Sequence, residues 1–137
     1  MKADAATTVA VEAVLARLAK VYVTRDVAEM RAVFAPDPGV VMYSPGAERI
    51  DGLDAIVAKA ESDWARSEAA SLSYRWTSIW AAGDVAWAAT DADFTVRAGG
   101  QEQTIPARIT FVLERRGAAW LIVHAHYSFA PAAPPGG

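Results

Sequence analysis

The segment Trp120–Ser128, WLIVHAHYS, near the end of the chain is the stretch that indicates the fold most clearly. Its β-branched and aromatic residues favour a strand, whose side chains alternate between two faces. On one face two imidazoles and a hydroxyl lie among apolar groups, a composition typical of a pocket wall. The members of this face are Trp120, Ile122, His124, His126 and Ser128. We therefore predict that this face of the strand lines a ligand pocket.

The chain before this segment shows strand signals back to about residue 71. Gly83-Asp84, Gly99-Gly100 and Arg116-Gly117 are turn signals, and they divide residues 71–129 into four long strands. Strands that follow one another in the sequence usually pair, so we expect an antiparallel meander. Strands of this length seldom stay flat, and we expect bending or bulging at Gly99-Gly100 and at Pro106.

The first half of the chain has helical periodicity in three places. Apolar residues at three- and four-residue steps predict a helix over about residues 8–24. Asp26 opens a second, short helix, which must end before Pro36. A third helix begins near Asp51 and carries Trp64 at the end of its apolar stripe.

Helices in the first half and a meander in the second predict an α+β fold with the helices on one face of the sheet. A sheet that curls around the first helix leaves a cone with an open end, which is where a ligand would bind. The length of 137 residues and the hydrophobic content of 53% fit one domain. We predict this domain over residues 1–129 and a disordered Pro/Gly tail over residues 130–137.

The composition excludes several classes of function. Thirteen basic residues stand against 16 acidic ones, and no run of Lys or Arg is present to follow a phosphate backbone. The absence of cysteine excludes disulfides, thiolate metal sites and cysteine nucleophiles. No apolar run approaches the roughly 20 residues that cross a bilayer, and the N-terminus lacks the core of a signal peptide. We expect a cytoplasmic protein that binds neither nucleic acid nor membranes.

Both histidines of the chain lie in WLIVHAHYS. If the protein is an enzyme, His124 or His126 is the best acid or base, because the ordinary imidazole pKa of about 6.5 suits proton transfer near neutrality. Arg108 on the preceding strand can hold a ligand carboxylate or a developing oxyanion, and it is the third predicted catalytic residue. The alternative is structural, with imidazoles bonded to the protein and Arg108 in an ion pair with Asp91, Asp93 or Glu114.

Other side chains complete the predicted ligand site. A tyrosine can supply a hydroxyl, an aspartate can point towards Arg108, and some of the tryptophans, which by default belong to the core or an interface, would touch a ligand. The predicted ligand-binding residues are Tyr43, Trp64, Trp76, Trp87, Asp91, Trp120 and Ser128. Two histidines at alternate strand positions are awkwardly spaced for a metal, and no Gly-rich phosphate loop is present. We therefore predict no metal and no cofactor.

Three sequence features together resemble the SnoaL-like, nuclear transport factor 2-like (NTF2-like) superfamily, which has the ketosteroid isomerase-like fold. They are Gly52–Ile56 (GLDAI) at the third helix, Gly83–Trp87 (GDVAW) after a hairpin, and WLIVHAHYS at the end. The ending is also similar to the association domain of calcium/calmodulin-dependent protein kinase II. The resemblance implies a cone-shaped, curved, mixed or antiparallel six-stranded sheet wrapped around three N-terminal helices, with a pocket between them.

The resemblance also bears on the chemistry. In ketosteroid isomerases the catalytic Asp lies on the short strand after helix two, just before a Pro, and this position looks like Ser44 in the present chain. A serine cannot act as that base, so the best-known reaction of the fold is not expected.

Two functions follow from these features. The first is a small-molecule-binding protein of the SnoaL-like type that acts as an isomerase, cyclase or lyase on an apolar carbonyl or carboxylate compound by proton transfer. The alternative is a non-catalytic ligand-binding or oligomeric assembly module. In either case we expect a homodimer through the sheet, because the meander holds more apolar residues than three helices can cover. The residues that lead to this expectation are Leu121, Val123, Phe129, Ile109 and Phe111.

Overall fold

The computed structural model describes residues 1–131 and has the predicted α+β architecture. The helices are α1 (Ala5–Thr24), α2 (Val27–Val33) and α3 (Leu53–Ala65). The strands are β1 (Val41–Tyr43), β2 (Ile50–Asp51), β3 (Ala69–Ala82), β4 (Val85–Ala98), β5 (Gln101–Arg116) and β6 (Ala119–Phe129). The predicted tail over residues 130–137 lies outside the described residues from position 132 onwards.

One curved sheet contains all six strands in the order β2-β1-β6-β5-β4-β3. The antiparallel meander predicted for β3 to β6 is confirmed. The short β1 runs parallel to β6, with Val41 opposite His124 and Tyr43 opposite His126. The chain just after α2 also pairs with β6, because the amide of Ala35 donates to the carbonyl of Ile122 at 2.9 Å. Strand β6 is thus hydrogen-bonded along both of its edges.

Helix α1 begins three residues earlier than the periodicity predicts, because Asp4 caps it. The Asp4 carboxylate accepts a hydrogen bond from the amide of Thr7 at 2.7 Å, which satisfies one of the free N–H groups of the first turn. Its buried stripe packs over the sheet, and the Tyr74 hydroxyl of β3 donates to the carbonyl of Leu15 at 3.0 Å. The buried residues of the stripe are Val11, Val14, Leu15, Leu18 and Val21.

The inward face of the meander forms the floor of the core. Ala86, Ala88 and Ala92 of β4 are fully buried, and their small side chains leave room for the helices that lie above them. The neighbouring strand β5 contributes large residues at the same level, with Ile109 and Phe111 almost completely buried. The sequence predicts these two residues among the apolar side chains that the helices leave uncovered and that a second copy would bury. That expectation is wrong, because the helices cover their face of the sheet.

Two β-bulges bend the sheet, and neither lies where glycine and proline indicated. One falls at Arg75 of β3, between Tyr74 and Trp76. The other falls at Val123 of β6, because Leu113 pairs with Ile122 while Val112 pairs with His124. Pro106 stays in register opposite Asp93, and Gly99-Gly100 form the β4–β5 turn. The sheet therefore bends at residues without any special backbone preference.

Arg25 joins the ends of two helices at the open end of the cone. It is the C-cap of α1 with φ of +58°, and it is the only described non-glycine residue with positive φ. Its guanidinium donates to the carbonyl of Trp64 at 2.8 Å and to the carbonyl and hydroxyl of Ser67 at 3.1 and 3.0 Å. Cations suit helix C-termini, so Arg25 fixes the end of α3 despite its unfavourable backbone conformation.

We expect Arg25→Ala to lower the free energy of unfolding by about 1–3 kcal/mol, because three hydrogen bonds are lost and the backbone strain remains. Arg25→Gly loses the same bonds but relieves the strain, so its loss should be about 1 kcal/mol smaller. Urea unfolding followed by tryptophan fluorescence measures both. Arg31→Ala, which breaks an exposed ion pair with Asp54, is the control. Equal losses for Arg25→Ala and Arg31→Ala would show that the hydrogen bonds of Arg25 to Trp64 and Ser67 have no special role in stability.

Candidate functional site

A cavity of about 560 Å³ opens between the inward face of the sheet and the helices. Its volume falls within the range of pockets that hold small organic molecules. Most of its wall is apolar, and its polar groups are few. The lining residues from α1 to α3 are Leu18, Val21, Tyr22, Met30, Phe34, Met42, Ser44, Pro45, Gly46, Ile56, Lys59, Ala60, Asp63 and Trp64. Those that follow are Arg66, Ser67, Ala70, Leu72, Phe94, Val96, Ala107, Ile109, Tyr127 and Phe129.

The bulge at Val123 reverses the predicted faces of the final strand. Before the bulge, Trp120 and Ile122 point inward and are buried, as the strict alternation predicts for one face. After it, Ala125, Tyr127 and Phe129 take the inward positions opposite Phe111, Ile109 and Ala107. The prediction that His124, His126 and Ser128 share a pocket wall with Trp120 is therefore wrong. These three residues lie on the outer face of the sheet and do not line the cavity.

The structure separates the remaining predicted site residues. Of the predicted ligand-binding residues, Trp64 alone lines the large cavity. Trp120 lines a smaller, distant cavity that also includes Asp4 and Arg115. The predicted catalytic Arg108 lies on the outer face of the sheet. So do four predicted ligand-binding residues, Tyr43, Trp76, Trp87 and Asp91. The functional roles assigned to these outer residues stay predictions.

On the outer face the imidazoles lie around one phenol ring. The ring centroid of Tyr43 lies 6.2 Å from that of His124 and 5.2 Å from that of His126. The Nδ1 atom of His124 lies 2.7 Å from the carbonyl oxygen of Val41, so it carries the proton and donates to this acceptor. This hydrogen bond corresponds to the structural alternative for His124, in which the imidazole is bonded to the protein.

Arg108 has neutral partners on the same face. Its Nε atom donates to the Ser128 hydroxyl at 3.2 Å, and its Nη2 atom donates to the carbonyl of Phe129 at 3.4 Å. Two of its expected ion-pair partners are taken by other arginines, since Asp93 pairs with Arg75 and Glu114 with Arg116. The third, Asp91, lies directly opposite Arg108 in the strand register without an ion-pair contact among the described residues.

Inside the cavity, two phenols form the main polar feature. The hydroxyl of Tyr22 on α1 donates a hydrogen bond to the hydroxyl oxygen of Tyr127 on β6 at 3.0 Å. Burial raises the pKa of Tyr22 to about 12 and raises the pKa of Tyr127 well above its ordinary value. Both phenols stay protonated at neutral pH. Tyr127 accepts this hydrogen bond and keeps its own proton, which has no acceptor among the described side chains.

The sequence missed both tyrosines. Tyr22 has the spacing of an ordinary core residue in the first helix, and Tyr127 lies on the face of the last strand that was expected to be apolar packing. The hydroxyl among otherwise apolar side chains on that face was the only available signal. The sequence does not reveal the bulge at Val123, which turns Tyr127 inward. A single hydroxyl on that face therefore gave no reason to choose Tyr127 over the histidines as a pocket residue.

Charged residues of the cavity wall come from the end of α3. The Asp63 carboxylate accepts hydrogen bonds from Lys59 at 2.6 Å and from Arg66 at 2.8 Å. Two cations therefore occupy the oxygens of this carboxylate with charge-assisted hydrogen bonds. No group of three or more His, Cys, Asp or Glu side chains that suits a metal ion is found in residues 1–131.

The cone-shaped fold is that of NTF2-like proteins. Residues 11–133 match the family described as the SnoaL-like domain, so the chain belongs to the SnoaL-like family. No curated protein matches the sequence. In the part of the chain that the structure describes, no helix is long and apolar enough to cross a membrane.

Solved structures give the same assignment of the fold. An NTF2-like superfamily protein from Salmonella enterica serovar Typhimurium LT2 has 23% identity and a TM-score of 0.84, covering 96% of this chain and 98% of that one. An NTF2-like protein from Pseudomonas putida KT2440 has 23% identity, a TM-score of 0.80 and coverage of 96% and 92%. A hexachlorocyclohexane dehydrochlorinase from Novosphingobium barchaimii LL02 has 15% identity, a TM-score of 0.82 and coverage of 96% and 92%. At these identities the similarity shows the fold alone.

The raised pKa values predict how stability depends on alkaline pH. Above about pH 10 the phenols of the unfolded chain ionise, while Tyr22 stays protonated in the folded chain until about pH 12. The unfolded state then binds fewer protons than the folded state, so the free energy of unfolding should fall as the pH rises through this window. Tyr22→Phe should make the fall shallower in urea titrations between about pH 9 and about pH 11. Tyr43→Phe, on the outer face, is the control, and an unchanged slope for Tyr22→Phe would contradict the prediction.

Proposed function

We propose that the protein binds a small, largely apolar molecule in the cone cavity and donates a hydrogen bond to a carbonyl oxygen of that molecule. The observation that carries this proposal is the pair of protonated phenols, Tyr22 and Tyr127, in a cavity whose wall is mostly apolar. A hydrogen bond inside a mostly apolar cavity is stronger than in water, and it favours ligands that present an acceptor at this point. The chemistry of the site therefore selects an apolar compound with a ketone or a similar oxygen.

Proton-transfer catalysis on such a compound is the second candidate function. The tyrosine pair has the form of an oxyanion-binding site, which would stabilise an enolate. The carboxylate of Asp63 faces the same cavity, and its charge contributes to the raised pKa of Tyr22. As a base, however, Asp63 would first have to leave Lys59 and Arg66. The donors of the site are thus better developed than its base, which favours binding over catalysis.

We expect Tyr127→Phe to weaken the binding of α-tetralone about three- to tenfold and to leave the binding of the hydrocarbon tetralin unchanged. The lost hydrogen bond matters only for the ligand that has an oxygen. Isothermal titration calorimetry measures both affinities. The matched control is Tyr74→Phe, since the Tyr74 hydroxyl bonds to the carbonyl of Leu15 and does not line the cavity.

The histidine variants decide between the two faces of β6. If His124→Ala or His126→Ala weakened α-tetralone binding as much as Tyr127→Phe, the ligand would lie on the outer face, and the cavity assignment would be wrong. Equal losses for tetralin and α-tetralone in Tyr127→Phe would show that only packing had changed. That result would exclude the proposed hydrogen bond.

We also propose that two copies associate through the outer face of the sheet. Trp76, Trp80 and Trp87 are 54%, 43% and 38% exposed on this face, and patches of this kind mark association surfaces. The face also carries Arg108 and Asp91, each without an ion-pair partner among residues 1–131. A two-fold axis brings the same patch of a second copy against them, so that opposite charges can meet across the interface.

We expect Trp87→Glu to convert the dimer into a monomer, because a carboxylate in an apolar interface loses its hydration. Light scattering after size exclusion should give twice the chain mass of 14.6 kDa for the unmodified protein and 14.6 kDa for the variant. The control is Val23→Glu, which alters an exposed apolar residue of α1 away from the sheet. A monomeric unmodified protein at micromolar concentration would refute the dimer.

A further inference from the structure

The mouth of the cavity carries more positive than negative charge. Three charged side chains belong to the cavity wall, and all of them come from the last two turns and the C-cap of α3: Lys59, Asp63 and Arg66. Two cations thus stand beside one carboxylate, although the chain as a whole has a net charge of −3. The side chains of Lys59 and Arg66 are 29% and 71% exposed, so a ligand that enters the cavity can reach both of them.

The two cations keep hydrogen-bond donors to spare. Lys59 donates to both carboxylate oxygens of Asp63, at 2.6 and 2.7 Å, and its ammonium group has a third N–H to offer. Arg66 uses one N–H of its guanidinium, which Nη2 donates to the same carboxylate at 2.8 Å. The other N–H groups of this guanidinium have no acceptor within residues 1–131. The pair can therefore bind a further anionic oxygen without giving up its contacts with Asp63.

The helix end does not account for these cations. Cations near a helix C-terminus often bond to its last carbonyls, but at α3 other groups already do so. Arg25 donates to the carbonyl of Trp64 at 2.8 Å, and the hydroxyl of Ser67 donates to the carbonyl of Asp63 at 3.3 Å. One carboxylate also cannot neutralise two cations. A single positive charge is thus left over at the mouth, and it attracts anions.

We propose that the ligand of the cavity carries a carboxylate at the mouth, bound by Lys59 and Arg66, in addition to the oxygen that accepts from the tyrosine pair. The class is that of oxo acids with an apolar body, in which the ketone and the carboxylate lie at different ends of the molecule. This inference rests on the proposed function, since it assigns a second contact to the same ligand.

A carboxylate suits this place in shape, charge and hydration. The planar guanidinium of Arg66 can meet both oxygens of a carboxylate with two parallel N–H bonds. A singly charged anion matches the one positive charge that Asp63 leaves uncompensated. Because the mouth is open to solvent, the carboxylate keeps part of its hydration and avoids the cost of full burial.

Matched pairs of acids and esters test the inference. The acids are 4-oxo-4-phenylbutanoate and 5-oxo-5-phenylpentanoate, whose flexible chains hold the carboxylate at two distances from the ketone. Their methyl esters keep the ketone and lose the charge. In isothermal titration calorimetry at low salt, we expect at least one acid to bind the unmodified protein about three- to tenfold more tightly than its ester. Lys59→Gln and Arg66→Gln should each weaken that acid about two- to fivefold and leave the ester unchanged.

Two further variants separate a bound carboxylate from a general attraction between charges. Lys20→Gln removes an exposed cation of α1 that does not line the cavity, so it should change neither affinity. Asp63→Asn removes the negative charge that competes with the ligand, so it should tighten the acid and leave the ester unchanged. If Lys20→Gln weakened the acid as much as Arg66→Gln, long-range attraction would explain the preference, and the proposed site would be wrong.

The outcomes distinguish this inference from the proposed function. If the esters bind and Tyr127→Phe weakens them, but neither acid exceeds its ester, only the carboxylate site at the mouth is overturned. An acid affinity that Lys59→Gln and Arg66→Gln both leave unchanged would also overturn that site. If neither the esters nor the acids bind to the unmodified protein, the proposed function itself fails.

Discussion

The two-sided pairing of β6, with one extra residue at Val123, determines which side chains face the interior of this protein. Up to Ile122 the strand bonds to the chain after α2, and from His124 onwards it bonds to β1. The bulge lies at the change from one neighbour to the other, and it moves the inward positions by one residue. Since one residue of slip exchanges the faces of a strand, this single feature brings Tyr127 into the cavity and puts His126 on the outer surface.

The exchange gives the two faces of the sheet different chemistry. The inward face combines the alanines of β4 with large apolar residues of β5, and it keeps a cavity because the helices cover only part of it. The outer face carries exposed aromatic rings, two imidazoles, and an arginine and an aspartate that form no ion pair within residues 1–131. A ligand that needs a dry, apolar environment fits the first face. The second face suits association, in which aromatic rings and paired charges become buried together.

Local sequence signals were sufficient for most of the fold. Helical periodicity, the cap at Asp26 and the glycine turns predict the helices and the meander, since each depends on residues close in sequence. The parallel pairing of β1 with β6 joins residues more than 80 positions apart, and no sequence signal predicted it. The bulge at Val123 has no local signal, because valine is an ordinary strand residue. The place of Tyr127 in the candidate site depends on this bulge, which explains why Trp64 was predicted to line the cavity and Tyr127 was not.

The distribution of charge around the cavity explains why binding is the better-supported function. A general base must hold its lone pair free near the reacting carbon, and the only carboxylate on this cavity wall, within residues 1–131, already accepts from Lys59 and Arg66. The phenol of Tyr127, whose proton has no acceptor among the described side chains, stays neutral near pH 7. Neutral hydroxyls lose less on burial than charges do, and they distinguish ligands by the position of their oxygen atoms. A mostly apolar cavity that offers a phenol proton, and whose carboxylate is already bonded to two cations, is therefore suited to selecting an oxygenated compound.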